Sequence, residues 1–200
     1  MAKPTEEHLQ AAHRVLRYLK SAPAQGLFYS SKQPLDVIAF CDADWASCPI
    51  TRRSITGYSI LLGTALVTWK TKKQAVVSRS SAEAEYRAMA QTSCELAWLT
   101  RLLQDLQVTV PQPIPLYCDN HAAMHIARNP VFHERTKHVE LDCHVVRQYL
   151  TSGLLIPRFV SSSEQPADIF TKALPADQLH RLSSKLNVSN LLHTLSLRGG

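Results

Sequence analysis

The sequence has few glycines and no long apolar run, and these absences exclude several classes of protein. Its 200 residues include only 6 glycines and 45% hydrophobic residues, so a collagen-like, low-complexity or disordered chain is excluded. Apolar runs such as Ile60-Leu61-Leu62 fall far short of the roughly 20 residues that cross a bilayer. The N-terminus also lacks the apolar core of a signal peptide. We therefore expect a soluble intracellular protein without a membrane segment.

Cysteine and acidic residues are scarce as well. The 5 cysteines are odd in number, form no C-x-x-C motif and lack zinc-ligand spacing. We expect most of them to be buried thiols in a reducing compartment. Lys and Arg number 22 against 16 Asp and Glu, which gives a net charge of +6. This excess fits an anionic partner such as a nucleic acid, and it fits an ordinary basic surface equally well.

Hydrophobic periodicity predicts an α/β domain with helical additions. The capping box Ser80-Ser81-Ala82-Glu83 predicts a long helix that runs to about Gln107. Strands are predicted at 37–41, 55–62, 65–69, 116–118 and 154–160, and further helices at 4–20, 122–128, 139–150, 166–172 and 176–186. The resulting order, βββαβαβα, is typical of a mixed sheet with flanking helices.

Three aspartates stand out because of their positions relative to these elements. Asp42 directly follows the apolar run 37–41, and Asp119 stands in the same relation to the run 116–118. A carboxylate after a buried strand needs a cation, hydrogen bonds or water, since its desolvation is costly. Asp168 lies on the turn into a late helix. Asp44 shares a strand face with Asp42 and is an alternative ligand.

Helical phase separates the two glutamates of the long helix. Steps of three and four residues from Glu85 reach an apolar stripe that consists of Met89, Thr92, Leu96, Leu99 and Leu103. The same steps from Glu83 reach Arg87, Gln91, Cys94, Trp98, Arg101 and Asp105. We therefore expect Glu85 to face the sheet, and Glu83 to cap the helix on its solvent side.

The four acidic residues Asp42, Glu85, Asp119 and Asp168 are candidate ligands for a pair of divalent metal ions. Oxygen ligands suit Mg²⁺ or Mn²⁺, and two such ions about 4 Å apart stabilise the attacking and leaving oxygens in phosphodiester cleavage. The alternative is that the strand-end aspartates are turn or cap residues, which are common roles for Asp. The spacing by itself leaves both interpretations open.

Six motifs at these positions resemble the ribonuclease H domain of copia-type retrotransposon Pol polyproteins. In the family's order, they are Phe40-Cys41-Asp42-Ala43-Asp44-Trp45-Ala46, Arg52-Arg53-Ser54-Ile55-Thr56-Gly57-Tyr58, Ser80-Ser81-Ala82-Glu83-Ala84-Glu85-Tyr86, Leu116-Tyr117-Cys118-Asp119-Asn120, Arg135-Thr136-Lys137-His138 and Ala167-Asp168-Ile169-Phe170-Thr171-Lys172. Residues 4–30 resemble the tail of the preceding reverse transcriptase. We accordingly expect a reverse-transcriptase tail at 1–34, a ribonuclease H domain at 35–175 and a C-terminal helix and tail at 176–200.

The resemblance implies a ribonuclease H-like fold, a five-stranded mixed sheet flanked by helices. It also implies a metal-dependent endonuclease that hydrolyses the RNA strand of RNA–DNA hybrids during reverse transcription. Residue by residue, the family's catalytic and metal-binding carboxylates match Asp42, Glu85, Asp119 and Asp168, with two Mg²⁺ ions as cofactors and Mn²⁺ as a substitute. The implied partners are an RNA–DNA hybrid and the reverse transcriptase portion of the same polyprotein.

The implied location is the cytoplasm, in virus-like particles, with the nucleus as the alternative. Two other functions compete with the hybrid nuclease. One is a catalytically silent nucleic-acid-binding remnant of a retroelement, which would bind a hybrid without cutting it. The other is an integrase-type transferase of the same fold superfamily, although the position of Asp168 favours the ribonuclease arrangement.

Candidate nucleic-acid contacts lie outside the acidic set. They are Lys70, Lys72, Lys73, Ser80, Ser81, Asn120 and His138. The lysine segment fits contacts to backbone phosphates, and it fits equally well an exposed strand edge that lysines protect from aggregation. The serines lie where a helix N-terminus attracts phosphate, although capping alone accounts for Ser80. Asn120 and His138 are candidates by resemblance.

Overall fold

Residues 3–129 and 140–190 are described in a computed structural model, in which the chain divides into two units. The first unit contains residues 1–28 and 188–200. Its described part consists of helix α1 (Glu6–Ser21) and two short antiparallel strands, β1 (Gln25–Leu27) and β7 (Val188–Asn190). The helix predicted at 4–20 is confirmed.

The second unit, residues 29–187, is built on a five-stranded mixed sheet. Its strands are β2 (Val37–Asp44), β3 (Ile55–Leu62), β4 (Ala65–Lys73), β5 (Ile114–Cys118) and β6 (Leu155–Phe159). They lie in the order β4-β3-β2-β5-β6. The pairs β2–β3 and β3–β4 are antiparallel, whereas β2–β5 and β5–β6 are parallel. The parallel pairing of β2 with β5 brings the C-terminal ends of these two strands to the same side of the sheet.

Helices connect and flank these strands. They are α2 (Ser81–Asp105), α3 (His121–Arg128), α4 (Glu140–Thr151) and α5 (Ala176–Lys185), with 3₁₀ helices at Ser162–Glu164 and Pro166–Phe170. The apolar stripe of α2 packs on the sheet, where Met89 and Leu96 are fully buried beside Tyr58 and Leu116. The predicted architecture, a five-stranded mixed sheet flanked by helices, is confirmed.

The start of α2 is organised by Ser80 and Glu83, although Glu83 bonds the residue before the cap and does not complete the predicted capping box. Ser80 Oγ accepts a hydrogen bond from the Glu83 backbone N–H at 3.1 Å, and Glu83 Oε2 accepts one from the Arg79 backbone N–H at 2.7 Å. Glu83 is nevertheless buried, so its predicted place on a solvent face is wrong. The reason is that Arg87, one turn along, covers this carboxylate and pairs with it at 3.0 Å.

The segment predicted as a helix over 166–172 is a shorter 3₁₀ helix. Pro166 lies in its first turn, and the Asp168 carbonyl accepts the backbone N–H groups of both Thr171 and Lys172, which ends the helix. All five cysteines are free thiols, and Cys41, Cys118 and Cys143 are buried as expected. Among the described residues, no helix combines the length and apolar character that a membrane crossing requires.

Candidate functional site

Three aspartates that are far apart in sequence meet at one edge of the sheet. One carboxylate oxygen from each of Asp42, Asp119 and Asp168 lies within 4.8 Å of the others. The parallel register pairs Phe40 with Tyr117, so Asp42 and Asp119 both lie two residues beyond that pair, at the same end of their strands. The 3₁₀ helix Pro166–Phe170 then brings in Asp168.

Glu85 adjoins this group from helix α2. Its carboxylate, the Cys118 thiol and the Asp119 carboxylate each offer a ligand atom within 4.8 Å of the others. Asp119 therefore belongs to both groups and connects Glu85 with Asp42 and Asp168. Glu85 is buried, with 5% of its surface exposed, as the helical phase predicts. The structure thus gathers all four predicted acidic residues, which we refer to as the acidic cluster.

Asp42 lies at the centre of the hydrogen bonds within the acidic cluster. It is fully buried, and its two carboxylate oxygens have separate partners. Thr171 Oγ1 donates to Oδ2, and Lys172 Nζ donates to Oδ1 at 3.0 Å. Lys172 also pairs with Asp168 Oδ1 at 2.8 Å. The five residues from Asp168 to Lys172 therefore supply one further carboxylate and two donors to the same site.

A buried glutamine attaches the Asp168 segment to the sheet. Gln165 is fully buried, and its Nε2 donates to the Cys41 carbonyl of β2 at 2.9 Å. Its Oε1 accepts the Ala167 backbone N–H at 3.2 Å. Because Cys41 directly precedes Asp42, this side chain fixes the distance between the strand and the helix that carry two of the aspartates.

Asp119 is positioned by a residue of the 3₁₀ helix Ser162–Glu164. Ser162 Oγ donates to Asp119 Oδ2 at 2.7 Å. Asn120, the next residue after Asp119, caps α3 by accepting the Ala123 backbone N–H at 2.9 Å. The strand end that bears Asp119 is thus held by a cap on one side and by a hydroxyl group on the other.

Glycine at position 57 lets the Asp168 segment lie directly on β3. An ideal Cβ on Gly57 would lie 2.6 Å from Thr171 Cγ2, 2.9 Å from Phe170 Cβ and 3.0 Å from the Ala167 carbonyl oxygen. Real Cβ atoms do not approach so closely. We therefore predict that Gly57→Ala displaces the segment and lowers stability by about 1–3 kcal/mol, the usual cost of overpacking.

Thermal unfolding measures the effect of Gly57→Ala, with Ser59→Ala as the matched control. Ser59 is a buried residue of the same strand, and its Oγ has no hydrogen-bond partner among the described residues. Ser59→Ala is therefore expected to leave the Tm nearly unchanged. An unchanged Tm for Gly57→Ala as well would contradict the close contact between β3 and the Asp168 segment.

The electrostatics of Glu85 follow from its surroundings. Burial, followed by electrostatic interactions with Asp42, Cys118 and Asp119, raises the pKa of Glu85 to about 11. A hydrogen bond from the Ala43 backbone opposes this shift, but it is the weaker effect. Glu85 therefore carries a proton at neutral pH unless a cation enters the acidic cluster.

Asp168 and Lys172 form an ion pair whose two pKa values move in the same direction. Burial and the charge of Asp42 raise the pKa of Asp168 to about 6, and the hydrogen bond from Lys172 offsets only part of this. Burial would lower the pKa of Lys172, but the charges of Asp42 and Asp168 outweigh it and raise the pKa. Lys172 therefore stays charged. The excess negative charge around Asp168 favours a further cation.

The donor set fits a hard divalent cation. Carboxylate oxygens are the ligands that Mg²⁺ and Mn²⁺ prefer, and three of them converge within 4.8 Å. Asp42, Glu85, Asp119 and Asp168 are the residues that would hold such ions. Asp44 is half-buried on β2 and is not among the clustered ligand atoms of the described residues.

The candidate phosphate-binding lysines lie on the edge strand β4. Lys70, Lys72 and Lys73 are exposed, and Lys73 Nζ lies 3.2 Å from Cys48 Sγ. Lys72 and Lys73 line a cleft of about 320 Å³ whose other wall includes Arg87. None of the four acidic residues lines this cleft. Both the phosphate-binding and the edge-protecting interpretation of the lysines remain compatible with these positions.

The other candidate contacts lie at helix starts or outside the described residues. Ser80 uses its hydroxyl oxygen to cap α2, which is the alternative role predicted for it. Ser81 is exposed in the first turn of the helix. Asn120 uses Oδ1 to cap α3. His138 lies outside the described residues. These placements leave the contacts to nucleic acid as predictions.

Four polar residues of the site were missed by sequence reasoning. They are Ser162, Gln165, Thr171 and Lys172. Thr171 and Lys172 belong to the motif 167–172 that carried the resemblance, yet the sequence assigned them no role. The available signal was their spacing, because positions three and four residues after Asp168 return to the same side of a helical turn.

The chain is similar to Pol polyproteins of plant retrotransposons. It is 42% identical over 191 residues to the retrovirus-related Pol polyprotein from transposon RE1 of Arabidopsis thaliana, and 43% identical over 188 residues to that from transposon RE2. These alignments cover 96% and 94% of this chain, but the chain spans only 13% of either relative. No family model matches the chain.

Among solved structures, the chain is similar to ribonuclease H1 from the halophilic archaeon Halobacterium salinarum NRC-1. The TM-score is 0.46 at 16% sequence identity, and the alignment covers 68% of this chain and 94% of that one.

Proposed function

Since this chain is a homologue of the copia-type retrotransposon Pol polyproteins, we propose that it is a metal-dependent endonuclease that hydrolyses the RNA strand of RNA–DNA hybrids. The observation that carries the proposal is the acidic cluster. Asp42, Asp119 and Asp168 present carboxylate oxygens within 4.8 Å of one another, and Asp119 extends the group to Glu85. Carboxylate oxygens are suitable ligands for the divalent ions of two-metal phosphodiester hydrolysis.

In this proposal the four carboxylates hold two Mg²⁺ ions, for which Mn²⁺ can substitute. When bound, such ions stabilise the attacking and leaving oxygens of an in-line displacement at the scissile RNA phosphate. The protein's own contribution is preorganisation. Thr171 orients the Asp42 carboxylate, Ser162 orients that of Asp119, and Gln165 fixes the Asp168 segment against β2.

The hybrid would be held through its phosphates. Lys70, Lys72 and Lys73 present a row of positive charge on an exposed edge strand, which suits a sequence-independent backbone contact. Ser81 presents its hydroxyl group at the N-terminus of α2, where the helix dipole favours a phosphate. Ser80, Asn120 and His138 complete the proposed contact set. Nucleic-acid binding through phosphate contacts weakens as the salt concentration rises.

The polyprotein context adds a proposed partner and a proposed division of the chain. We assign residues 1–34 to the tail of a reverse transcriptase, 35–175 to the nuclease domain and 176–200 to a C-terminal helix and tail. The reverse transcriptase portion of the same polyprotein would then contribute to hybrid binding. Its place of action would be the cytoplasm, within virus-like particles, or the nucleus.

The proposal predicts a defined cleavage pattern for the purified chain. With Mg²⁺, an end-labelled RNA–DNA hybrid is expected to lose its RNA strand, whereas single-stranded RNA and duplex DNA of the same sequence stay intact. The products should carry 5′-phosphate and 3′-hydroxyl ends, which enzymatic end-labelling identifies. EDTA should stop the reaction, and a Mg²⁺ titration should restore it.

Two outcomes of this assay would contradict the proposal. Binding of the hybrid in a gel-shift assay without cleavage at any Mg²⁺ or Mn²⁺ concentration would identify a silent nucleic-acid-binding remnant. Joining of DNA ends in place of RNA hydrolysis would identify an integrase-type transferase.

A further inference from the structure

Lys172 contacts both aspartates at the centre of the acidic cluster. Its ammonium group lies 3.0 Å from Asp42 Oδ1 and 2.8 Å from Asp168 Oδ1. The side chains of Asp42 and Asp168 are 0% and 5% exposed, whereas that of Lys172 is 33% exposed. The ammonium group of the lysine therefore contacts the buried cluster, while a third of its side-chain surface is exposed.

The cluster needs positive charge because its carboxylates are close together and removed from water. Two buried carboxylates whose oxygens lie within 4.8 Å repel each other strongly, and each has lost the hydration that would stabilise its charge. Lys172 supplies one positive charge at hydrogen-bond distance from both. A divalent cation supplies two charges and uses the same carboxylate oxygens as ligands.

We infer that Lys172 is an internal counter-cation that competes with divalent metal ions for Asp42 and Asp168. The inference rests on the metal site of the proposed function and adds to it a residue that sets the metal affinity. With no divalent ion bound, Lys172 places its positive charge against both carboxylates and holds them in position. Metal entry requires that the ammonium group move away from at least one of them.

The local geometry allows this exchange without rearranging the backbone. Thr171 holds Asp42 through Oδ2, so Oδ1 can exchange the ammonium group for a metal ion while the carboxylate stays oriented. The lysine side chain is long, flexible and 33% exposed, so its ammonium group can turn toward solvent. A released ammonium group beside the site would also be close to any phosphate bound there.

Calorimetric titration with Mn²⁺ tests the competition directly, without an activity measurement. Lys172→Met removes the charge and keeps the apolar stem, so we expect at least a roughly tenfold tighter Kd for Mn²⁺ at low ionic strength. The same variant is expected to melt at a lower temperature than the wild type in EDTA, and to gain more Tm on saturation with Mn²⁺. Lys172→Arg keeps the charge and should bind Mn²⁺ as the wild type does.

Lys185→Met is the matched control. Lys185 has 34% side-chain exposure, close to that of Lys172, and it pairs with Glu164, which is not a member of the acidic cluster. Its loss should leave the Kd for Mn²⁺ unchanged. If Lys172→Met is too unstable for titration, Lys172→Gln can replace it. This variant removes the same charge but keeps a hydrogen-bond donor, and we expect the same decrease in the Kd for Mn²⁺.

The outcomes separate this inference from the proposed function. Unchanged or weaker Mn²⁺ binding by the charge-removing variants, with normal binding by the wild type, would overturn the competition and leave the metal site intact. Equal tightening in Lys185→Met would also overturn it, because the effect would then reflect overall charge. Failure of the wild type itself to bind Mn²⁺ would overturn the metal site and this inference together.

Discussion

Asp42→Asn is expected to reduce the rate of RNA–DNA hybrid cleavage by at least about 10³-fold, because metal ligation of this kind contributes several kcal/mol to transition-state stabilisation. The amide has nearly the same shape as the carboxylate but lacks its charge, and one of its two polar atoms can no longer accept a hydrogen bond. Either Thr171 or Lys172 therefore loses an acceptor at position 42.

The fold should survive this substitution. Lys172 keeps its pair with Asp168 at 2.8 Å, so its ammonium group is not left alone in the protein. The loss of one negative charge also relieves repulsion within the acidic cluster. We therefore expect an unchanged circular dichroism spectrum, and a Tm within a few degrees of the wild type, beside the lost activity.

Asp105→Asn is the control for the Asp42 substitution. Asp105 is the exposed last residue of α2, and the same chemical change there should leave cleavage unaffected. Single-turnover cleavage of an end-labelled hybrid in Mg²⁺ measures both rates. If Asp42→Asn cleaves at the rate of Asp105→Asn, the acidic cluster does not carry the reaction.

The buried strands and the inward-facing glutamate could be predicted because they depend on local patterns, although β2 continues to Asp44 and so contains Asp42 instead of ending before it. The apolar runs before Asp42 and Asp119 specify buried strands, and parallel pairing then brings the two ends together. Glu85 shares a helical phase with Met89 and Leu96, both fully buried. In each case the nearest neighbours in sequence contain the information that places the side chain.

The partners of these carboxylates depend on contacts between distant segments, which no local pattern contains. Gln165 bonds the carbonyl of Cys41, and Ser162 bonds Asp119, across long sequence separations. The burial of Glu83 was missed for the same reason. It depends on Arg87, which covers the Glu83 carboxylate, and helical periodicity alone does not reveal that contact. Periodicity indicates which side of an element faces inward, but not which polar group it meets there.

Glu85 illustrates the conflict between stability and metal binding in this site. Its pKa is raised to about 11, chiefly by burial, whereas a glutamate in an unfolded chain titrates near 4.3. The folded state therefore binds a proton that the unfolded state releases across this interval. By linkage, the stability that the protonated group provides is fully present below about pH 4.3 and is lost progressively as pH rises toward 11.

Glu85→Gln is accordingly expected to change activity and stability in opposite directions. Glutamine resembles the protonated acid and has no pKa in this range, so the variant should be more stable than the wild type in EDTA at pH 8. Each pH unit of the interval corresponds to about 1.4 kcal/mol, so we expect a Tm gain of at least roughly 3 °C. The gain should shrink toward zero near pH 4. Hybrid cleavage should meanwhile fall by about 10³-fold, because the variant lacks a ligand charge.

Thermal unfolding in EDTA between pH 4 and pH 9, with Glu95→Gln as the control, measures the stability change. Glu95 lies on the same helix and accepts a hydrogen bond from Thr68 Oγ1 at 3.1 Å, outside the acidic cluster. Its substitution should give no gain that grows with pH. A Glu85→Gln variant no more stable than the wild type at pH 8 would mean that the glutamate is ionised without metal. In that case a cation other than the metal would compensate the buried charge of Glu85. Lys172, which contacts Asp42, would be that cation.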